Sequence, residues 1–212
     1  MNIAIIGGGA AGFFAAINCA AMYPRHSVSI FEKSNKILSK VRVSGGGRCN
    51  VTHACFDNAL LTEFYPRGKR ELKNAFSRFN TGDTVQWFES RGVKLKTEDD
   101  GRMFPVTDNS ETIIHCLLNE AEKFNVKIKM SHTLQRILKN DTGKFELRFQ
   151  HGDDIIFDRV IITSGGSANS TNYDWISEMG HKIIPPVPSL FTFNIPASPL
   201  KGLEGISSPS VT

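Results

Sequence analysis

Residues 2–32 read as a strand, a glycine turn, a helix and a second strand closed by an acid. Asn2-Ile3-Ala4-Ile5-Ile6 is a short apolar run, Gly7-Gly8-Gly9-Ala10-Ala11-Gly12 carries a G-x-G-x-x-G spacing, and Phe13–Met22 has a helical composition. A second apolar run, Val28–Phe31, stops at Glu32, twenty positions after the last glycine. That order is the fingerprint of a dinucleotide-binding βαβ unit, and each part has a physical reason. Gly7 permits a tight turn off the strand. Gly9 leaves the backbone bare for a pyrophosphate, and Gly12 lets the helix pack closely. Ala10 and Ala11, between the glycines, are candidate contacts too, and the free N–H groups at the helix N-terminus meet phosphate charge. Glu32, with Lys33 beside it, stands where an adenosine ribose would be held. The fingerprint leaves FAD and NAD equally open.

The rest of the chain reads as further strands and helices of an α/β fold. Lys33–Asn50 is polar and centres on Ser44-Gly45-Gly46-Gly47-Arg48-Cys49-Asn50, a stretch unsuited to the interior of a regular element. Leu72, Ala75, Phe76 and Phe79 recur at helical spacing and read as core residues. Val85 and Phe88 follow in a second helix begun near Thr81. Val93–Lys96 and Arg102–Pro105 read as strands, and Ser110 is placed to cap a helix whose apolar face is Ile113, Ile114, Leu117, Leu118 and Ala121. Val126–Met130 and Leu134–Leu138 are further strand candidates. Phe145–Phe149 and Ile155–Phe157 make a hairpin around His151–Asp154, and Val160–Ile162 is a buried-strand run ending in Thr163-Ser164-Gly165-Gly166. From Pro185 prolines punctuate extended segments such as Leu190–Ile195. We therefore expect a dinucleotide-binding domain over 1–186 and a second domain beginning at 187–212.

Composition narrows the class. At 212 residues, 40% hydrophobic and 22% charged, the chain suits an ordinary globular protein, and a formal charge of +4 is mild. Basic residues cluster at Lys33–Arg48 and Arg67–Arg78, but no aromatic platform alternates with them in the sequence. The expectation is a solvated face, a small-molecule substrate and no nucleic acid. Residues 1–24 carry no charge, yet consecutive glycines and two asparagines interrupt the run, so neither a membrane span nor a signal peptide is expected and the cytoplasm is the expected compartment. Cys19, Cys49, Cys55 and Cys116 lack both a disulfide framework and the paired spacing of a zinc site, so no metal is expected.

The segment Lys40–Asn50, extended to S-G-G-G-R-C-N-V-T through Thr52, resembles the HI0933-like (YhiN-like, BaiN-like) FAD-dependent oxidoreductases, a branch of the glutathione-reductase-like flavoproteins. Gly101-Arg102-Met103-Phe104-Pro105, Gly180-His181 with Ile183, Pro188 and Leu190, and Gly202-Leu203-Glu204-Gly205-Ile206 agree with further blocks of that family, in its order. The resemblance implies a Rossmann-like FAD-binding fold of the glutathione-reductase type with the start of an inserted β-rich domain. It also implies FAD rather than NAD in the opening unit and NAD(P)H as a possible electron donor. Ser44, Gly45, Gly46, Gly47, Arg48, Cys49 and Asn50 would lie beside the flavin end, with Lys40 and Arg42 facing phosphates or the ring. Ser164, Gly165 and Gly166 would close over the cofactor from the next strand, and the backbone at Leu134 would meet the adenine. Two features depart from the pattern. A family glycine-rich turn is here Asn169–Trp175, and family members are about twice as long, so a missing C-terminal half is expected to complete the fold.

The implied activity is hydride transfer between a nicotinamide cofactor, or oxygen, and an unidentified organic substrate. No protein acid, base or nucleophile is singled out, because a flavin carries its own redox chemistry. Two alternatives stand beside it: a truncated, non-catalytic nucleotide-binding module, and a disulfide reductase using Cys49 and Cys55. The second is disfavoured because five residues separate those cysteines and the intervening segment lacks a glycine.

Overall fold

A computed structural model describes residues 1–167, 169–187, 197 and 199. Strands are β1 Asn2–Ile6, β2 Ser27–Phe31, β3 Thr52–His53, β4 Leu95–Thr97, β5 Arg102–Pro105, β6 Lys127–Lys129, β7 Leu134–Lys139, β8 Phe145–Phe149, β9 Ile155–Phe157 and β10 Arg159–Ile162. Helices are α1 Ala10–Met22, α2 Ser39–Gly47, α3 Asn58–Glu63, α4 Lys69–Phe76, α5 Thr81–Glu89, α6 Ser110–Lys123 and α7 Asp174–Ser177, the last preceded by a 3-10 turn at Ser170–Tyr173.

The centre is a four-stranded parallel sheet in the order β10-β1-β2-β6. Ile3, Ala4, Ile5 and Ile6 are all buried because this strand has a neighbour on each side and a layer on each face. The two-residue period of the strand splits them. Ile3 and Ile5 join Phe13, Ile17, Ile113 and Leu117 under the helices. Ala4 and Ile6 turn to Phe31, Leu147, Phe149 and Phe157 under the antiparallel sheet β7-β8-β9. Phe31 anchors that second layer, stacked on Phe149 at 4.9 Å and edge-on to Phe157 at 5.5 Å. A third sheet, β3-β5-β4, extends from the glycine-rich segment. Asp158, in the turn between β9 and β10, accepts a hydrogen bond from the Asn2 N–H at 2.7 Å and fastens the start of β1.

Several local expectations change. Asn109, not Ser110, caps α6 by accepting from the Glu111 N–H. The Ser110 hydroxyl instead donates to the Arg42 carbonyl at 2.9 Å and ties α6 to α2. The face formed by Leu72, Ala75, Phe76 and Phe79 is not a core face: α4 contains no buried residue, Ala75 is exposed, and Phe79 just after it is 38% exposed. Trp87 on α5 is the buried aromatic of this region. No helix among the described residues is long and apolar enough to cross a membrane. Leu190–Ile195, Gly202–Ile206 and nearly all of the expected second domain lie outside the described residues.

Candidate cofactor site

The loop from β1 to α1 is built by its glycines, and each has a different reason. Gly7 has φ +116°, and its N–H donates to the Phe31 carbonyl at 2.8 Å. A Cβ there would sit 2.4 Å from the Thr163 carbonyl oxygen. A Cβ at Gly12 would sit 1.9 Å from the Gly7 carbonyl oxygen and 3.0 Å from the Thr163 hydroxyl. Both glycines are therefore demanded by the chain's own packing. Gly9 is not: its φ of −90° suits any residue, and a Cβ there meets nothing within 4 Å. The backbone at Gly9 is left bare toward open space, so the fold does not require glycine there and a group could approach the backbone closely.

Helix α1 begins at this bare position with no side-chain cap and no acid in its first turn. Its ladder starts with the Phe13 N–H on the Gly9 carbonyl at 3.0 Å. The N–H groups of Ala10, Ala11 and Gly12 precede that bond, so the positive end of the helix dipole has no protein anion in its first turn. Ala10 and Ala11 are exposed.

Glu32 closes β2 and is held firmly. One carboxylate oxygen accepts from the Gly8 N–H at 2.8 Å, and the other from the Ser34 N–H at 2.9 Å and the Ser34 hydroxyl at 3.0 Å. A carboxylate offers about four lone-pair directions, so room remains for a ligand hydroxyl. Gly8 and Ser34 were missed in the sequence. Gly8 is the unassigned position of the fingerprint, where a Cβ would come within 2.9 Å of the Glu32 Cβ. Ser34 had one available signal, a hydroxyl two residues after the acid, suited to a local turn. Lys33 is exposed. Leu134 starts β7 opposite Phe149, near His132, whose N–H donates to the Glu32 carbonyl.

The second glycine loop is a break in α2. Ser44 leaves the helical region at ψ 147°, and Gly45 and Gly46 turn left-handed at φ +58° and +68°. The expectation that this stretch lacks regular interior structure agrees with these angles. Gly45 is packed, since a Cβ would press within 2.6 Å of the Phe104 ring, whereas Gly46 and Gly47 face open space. Cys49 holds a left-handed φ of +63° without being glycine, and its thiol is buried. Burial pushes that thiol up from its ordinary range, an effect only partly offset by a hydrogen bond with Ser44. A thiol so placed is protonated and poorly nucleophilic. All four cysteines are free. Asn50 is exposed at the end of the loop.

The basic residues of this region have protein partners. Arg48 pairs with Glu98, lies 3.6 Å from Asp108 and stacks 4.0 Å over the Phe104 ring, so it braces the loop against β5. Arg42 pairs with Glu111 at the start of α6. Lys40 reaches across to the turn after β10, donating to the Gly166 carbonyl at 3.1 Å. That turn follows Thr163, whose hydroxyl donates to the Ile6 and Gly7 carbonyls at 2.9 and 3.1 Å. Gly165 there is left-handed at φ +73°, beside Ser164. Lys40, Ser164, Gly165 and Gly166 are thus brought together above the fingerprint, while Arg42 and Arg48 are drawn toward carboxylates.

Between the two glycine loops opens an apolar cavity of about 490 Å³, bounded by Ala11, Phe14, Ser44, Cys49, Phe79 and Trp87. Phe14 lies 5.0 Å from Phe79 and 5.4 Å from Trp87, and the Trp87 indole N–H donates to Asn18 on α1. The aromatic wall was not recognised as part of the site, because spacing alone does not separate a pocket wall from a core face. No group of three or more residues suited to holding a metal occurs among the described residues.

The chain is similar to several known proteins. A curated protein, the 3-dehydro-bile acid delta(4,6)-reductase of Clostridium scindens, is 29% identical over 211 residues, covering 97% of this chain and 50% of that protein. The ribosomal RNA dihydrouridine synthase of Haemophilus influenzae is 28% identical over 215 residues, covering 97% and 52%. The chain spans about half the length of these relatives. Among solved structures, the 3-ketosteroid-delta4-(5alpha)-dehydrogenase of Rhodococcus jostii superposes with a TM-score of 0.56 at 16% identity, over 81% of this chain and 47% of that one, a likeness of fold. The HI0933-like protein Rossmann domain matches residues 1–208. Since that match leaves only the last four residues outside it, the chain belongs to the HI0933-like Rossmann-domain family.

Proposed function

We propose that the chain is the dinucleotide-gripping part of an FAD-dependent oxidoreductase that saturates a carbon–carbon double bond in an organic substrate. The observation that carries the cofactor reading is Gly9: alone of the three fingerprint glycines it has no packing reason, and it faces open space at an uncapped helix start. The residues fit FAD. Glu32, held by Gly8 and Ser34, accepts from the adenosine ribose, with Lys33 and the Leu134 backbone at the adenine end. The N–H groups at Ala10 and Ala11 take the pyrophosphate. Gly46 and Gly47 leave backbone open at the flavin end, where Ser44, Asn50 and Lys40 border the cavity and Lys40 reaches the Ser164–Gly166 turn.

Bound FAD supplies two-electron hydride chemistry, and the chain supplies position and an apolar wall. Phe14, Phe79 and Trp87 line one side of the cavity. NAD(P)H is the proposed electron donor. The two relatives' names share one chemistry, saturation of a double bond, in one case in a 3-dehydro-bile acid and in the other in a uridine of ribosomal RNA. We therefore assign a conjugated enone-type bond as the reacting group. A second reading of the substrate, a uracil within RNA, is favoured by the arrangement of the α3–α4 surface developed below. The disulfide-reductase alternative is weakened by the buried, protonated Cys49 thiol.

The test is anaerobic. Purified protein is loaded with FAD, reduced with NADH or NADPH, and mixed with a cyclic enone or with a uridine-containing RNA. Bleaching of the flavin by the nicotinamide and its recovery on adding one acceptor support the reading. A protein that FAD cannot reconstitute supports the non-catalytic module instead.

A further inference from the structure

The segment Phe64–Asn80 contains five basic residues and one acid, a surplus of four positive charges. The whole chain carries +4, so the other 195 residues are neutral in sum and the protein's positive field is concentrated on this hairpin. Lys69 pairs with Glu63, while Arg67, Arg70, Lys73 and Arg78 have no carboxylate partner among the described residues. The same surface exposes rings: Phe64 is 63% exposed, Tyr65 40% and Phe56 57%. Phe56, Leu60 and Phe64 line an open groove of about 460 Å³ with His53, whose ring lies 5.2 Å from that of Phe64. Exposed aromatics clustered in a field of unpaired cations are unusual for a solvated face. The sequence hid this because the rings precede the cations along the chain and only the fold of α3 against α4 sets them side by side.

We propose that the α3–α4 hairpin is a docking surface for single-stranded RNA. Cations track the phosphates, and Phe64, Tyr65 and the adjoining groove receive bases by stacking, which is how single strands are held without duplex geometry. The hairpin adjoins the proposed active site along the chain: three residues after α4, Phe79 forms part of the 490 Å³ cavity wall. A strand docked on the hairpin thus presents a nucleotide toward that cavity. The proposal rests on the FAD-dependent reductase reading for the cavity it serves, and it departs from the sequence expectation of no nucleic acid.

The experiment is fluorescence anisotropy with a labelled 20-nucleotide oligouridylate, run beside an FAD titration of each protein. Four phosphate contacts on a single strand predict a slope of about −3 for log affinity against log salt. Arg67→Glu/Arg70→Glu/Lys73→Glu is expected to lower RNA affinity at least 30-fold at fixed salt. Phe64→Ala/Tyr65→Ala is expected to lower it about 10-fold without changing the slope. Both variants should retain wild-type FAD affinity; Arg70→Gln/Lys73→Gln, expected to lose about 5-fold, serves if the charge reversal misfolds. Undiminished RNA binding in the variants, no binding of the oligouridylate at low salt, or stronger binding of duplex RNA, an acidic polypeptide or anionic vesicles would overturn the proposal. RNA binding without FAD binding would instead leave the hairpin standing and remove the cofactor reading.

Discussion

Replacing Gly9 and Gly12 by alanine separates ligand chemistry from folding within four residues. At Gly12 the new methyl group would lie 1.9 Å from the Gly7 carbonyl oxygen, 1.1 Å inside even a 3.0 Å contact, and both partners are backbone-anchored. Overpacking of that kind costs about 1–3 kcal/mol, or roughly 2–12 °C in Tm for a chain of this size. At Gly9 the methyl group meets nothing, and φ −90° with ψ −173° is normal for alanine. Loss of the glycine cap costs a few tenths to about 1 kcal/mol, and the reduced freedom of the unfolded chain returns about 0.4–1 kcal/mol. The two offset, so Gly9→Ala should melt within about 2 °C of wild type. Its effect falls on the cofactor: the methyl group holds a phosphate oxygen away from the backbone N–H groups, and one charge-assisted hydrogen bond is worth about 1.5–3 kcal/mol, roughly 10- to 100-fold in FAD affinity. Thermal melts by circular dichroism and FAD titration by flavin fluorescence read the two effects separately. A Gly9→Ala protein that binds FAD as tightly as wild type would refute the assignment of the open face at Gly9 to phosphate.

Ser34→Ala should weaken FAD binding about 3- to 10-fold, because one hydroxyl donor to Glu32 is lost while the Gly8 and Ser34 N–H donors remain; titration calorimetry measures it. Cys49→Ala and Cys55→Ala should each leave reduction of the flavin by NAD(P)H within about 2-fold of wild type, as fits a Cys49 thiol that burial keeps protonated, and loss of that rate by stopped flow would revive the dithiol chemistry. The Asn2 N–H, followed by Lys144, holds the Asp158 carboxyl below its usual range. Its stabilising contribution is therefore fully present above the unfolded carboxylate value of about 3.9 and is lost as pH falls through the lower folded value. Asp158→Asn should lower Tm at neutral pH, with the gap to wild type closing in acid; a gap that widens in acid would contradict that sign. On β10, an edge strand of the parallel sheet among the described residues, Ile161 and Ile162 are 38% and 37% exposed. Ile161→Lys should reduce concentration-dependent self-association in sedimentation velocity.

The opening βαβ unit was legible because everything that builds it is local: strand period, glycine spacing, helix start and acid fall within residues 2–32. The hairpin of β8 and β9 was legible for the same reason. What could not be read was long-range. The parallel pairing of β10 with β1, Ala4 opposite Val160, places Thr163 over Gly7, and that juxtaposition, not the turn alone, forbids a Cβ at Gly7. Arg48 illustrates the same limit. The resemblance puts it beside the flavin end, but Glu98 and Phe104, brought in by β4 and β5, engage its guanidinium. Helical spacing at Leu72–Phe79 correctly gave a helix and wrongly gave a core, because periodicity reports an apolar face without saying whether another element covers it.

Comparison of FAD with FMN as ligands tests the central claim most directly, since the two share the flavin and differ in the adenosine half. The proposed grip of this chain is on that half, through Glu32 and the start of α1. Titration calorimetry should show FAD binding at one per chain, with FMN at least 100-fold weaker and Glu32→Ala removing most of the difference. FMN binding as tightly as FAD, or FAD binding indifferent to Glu32→Ala, would contradict it.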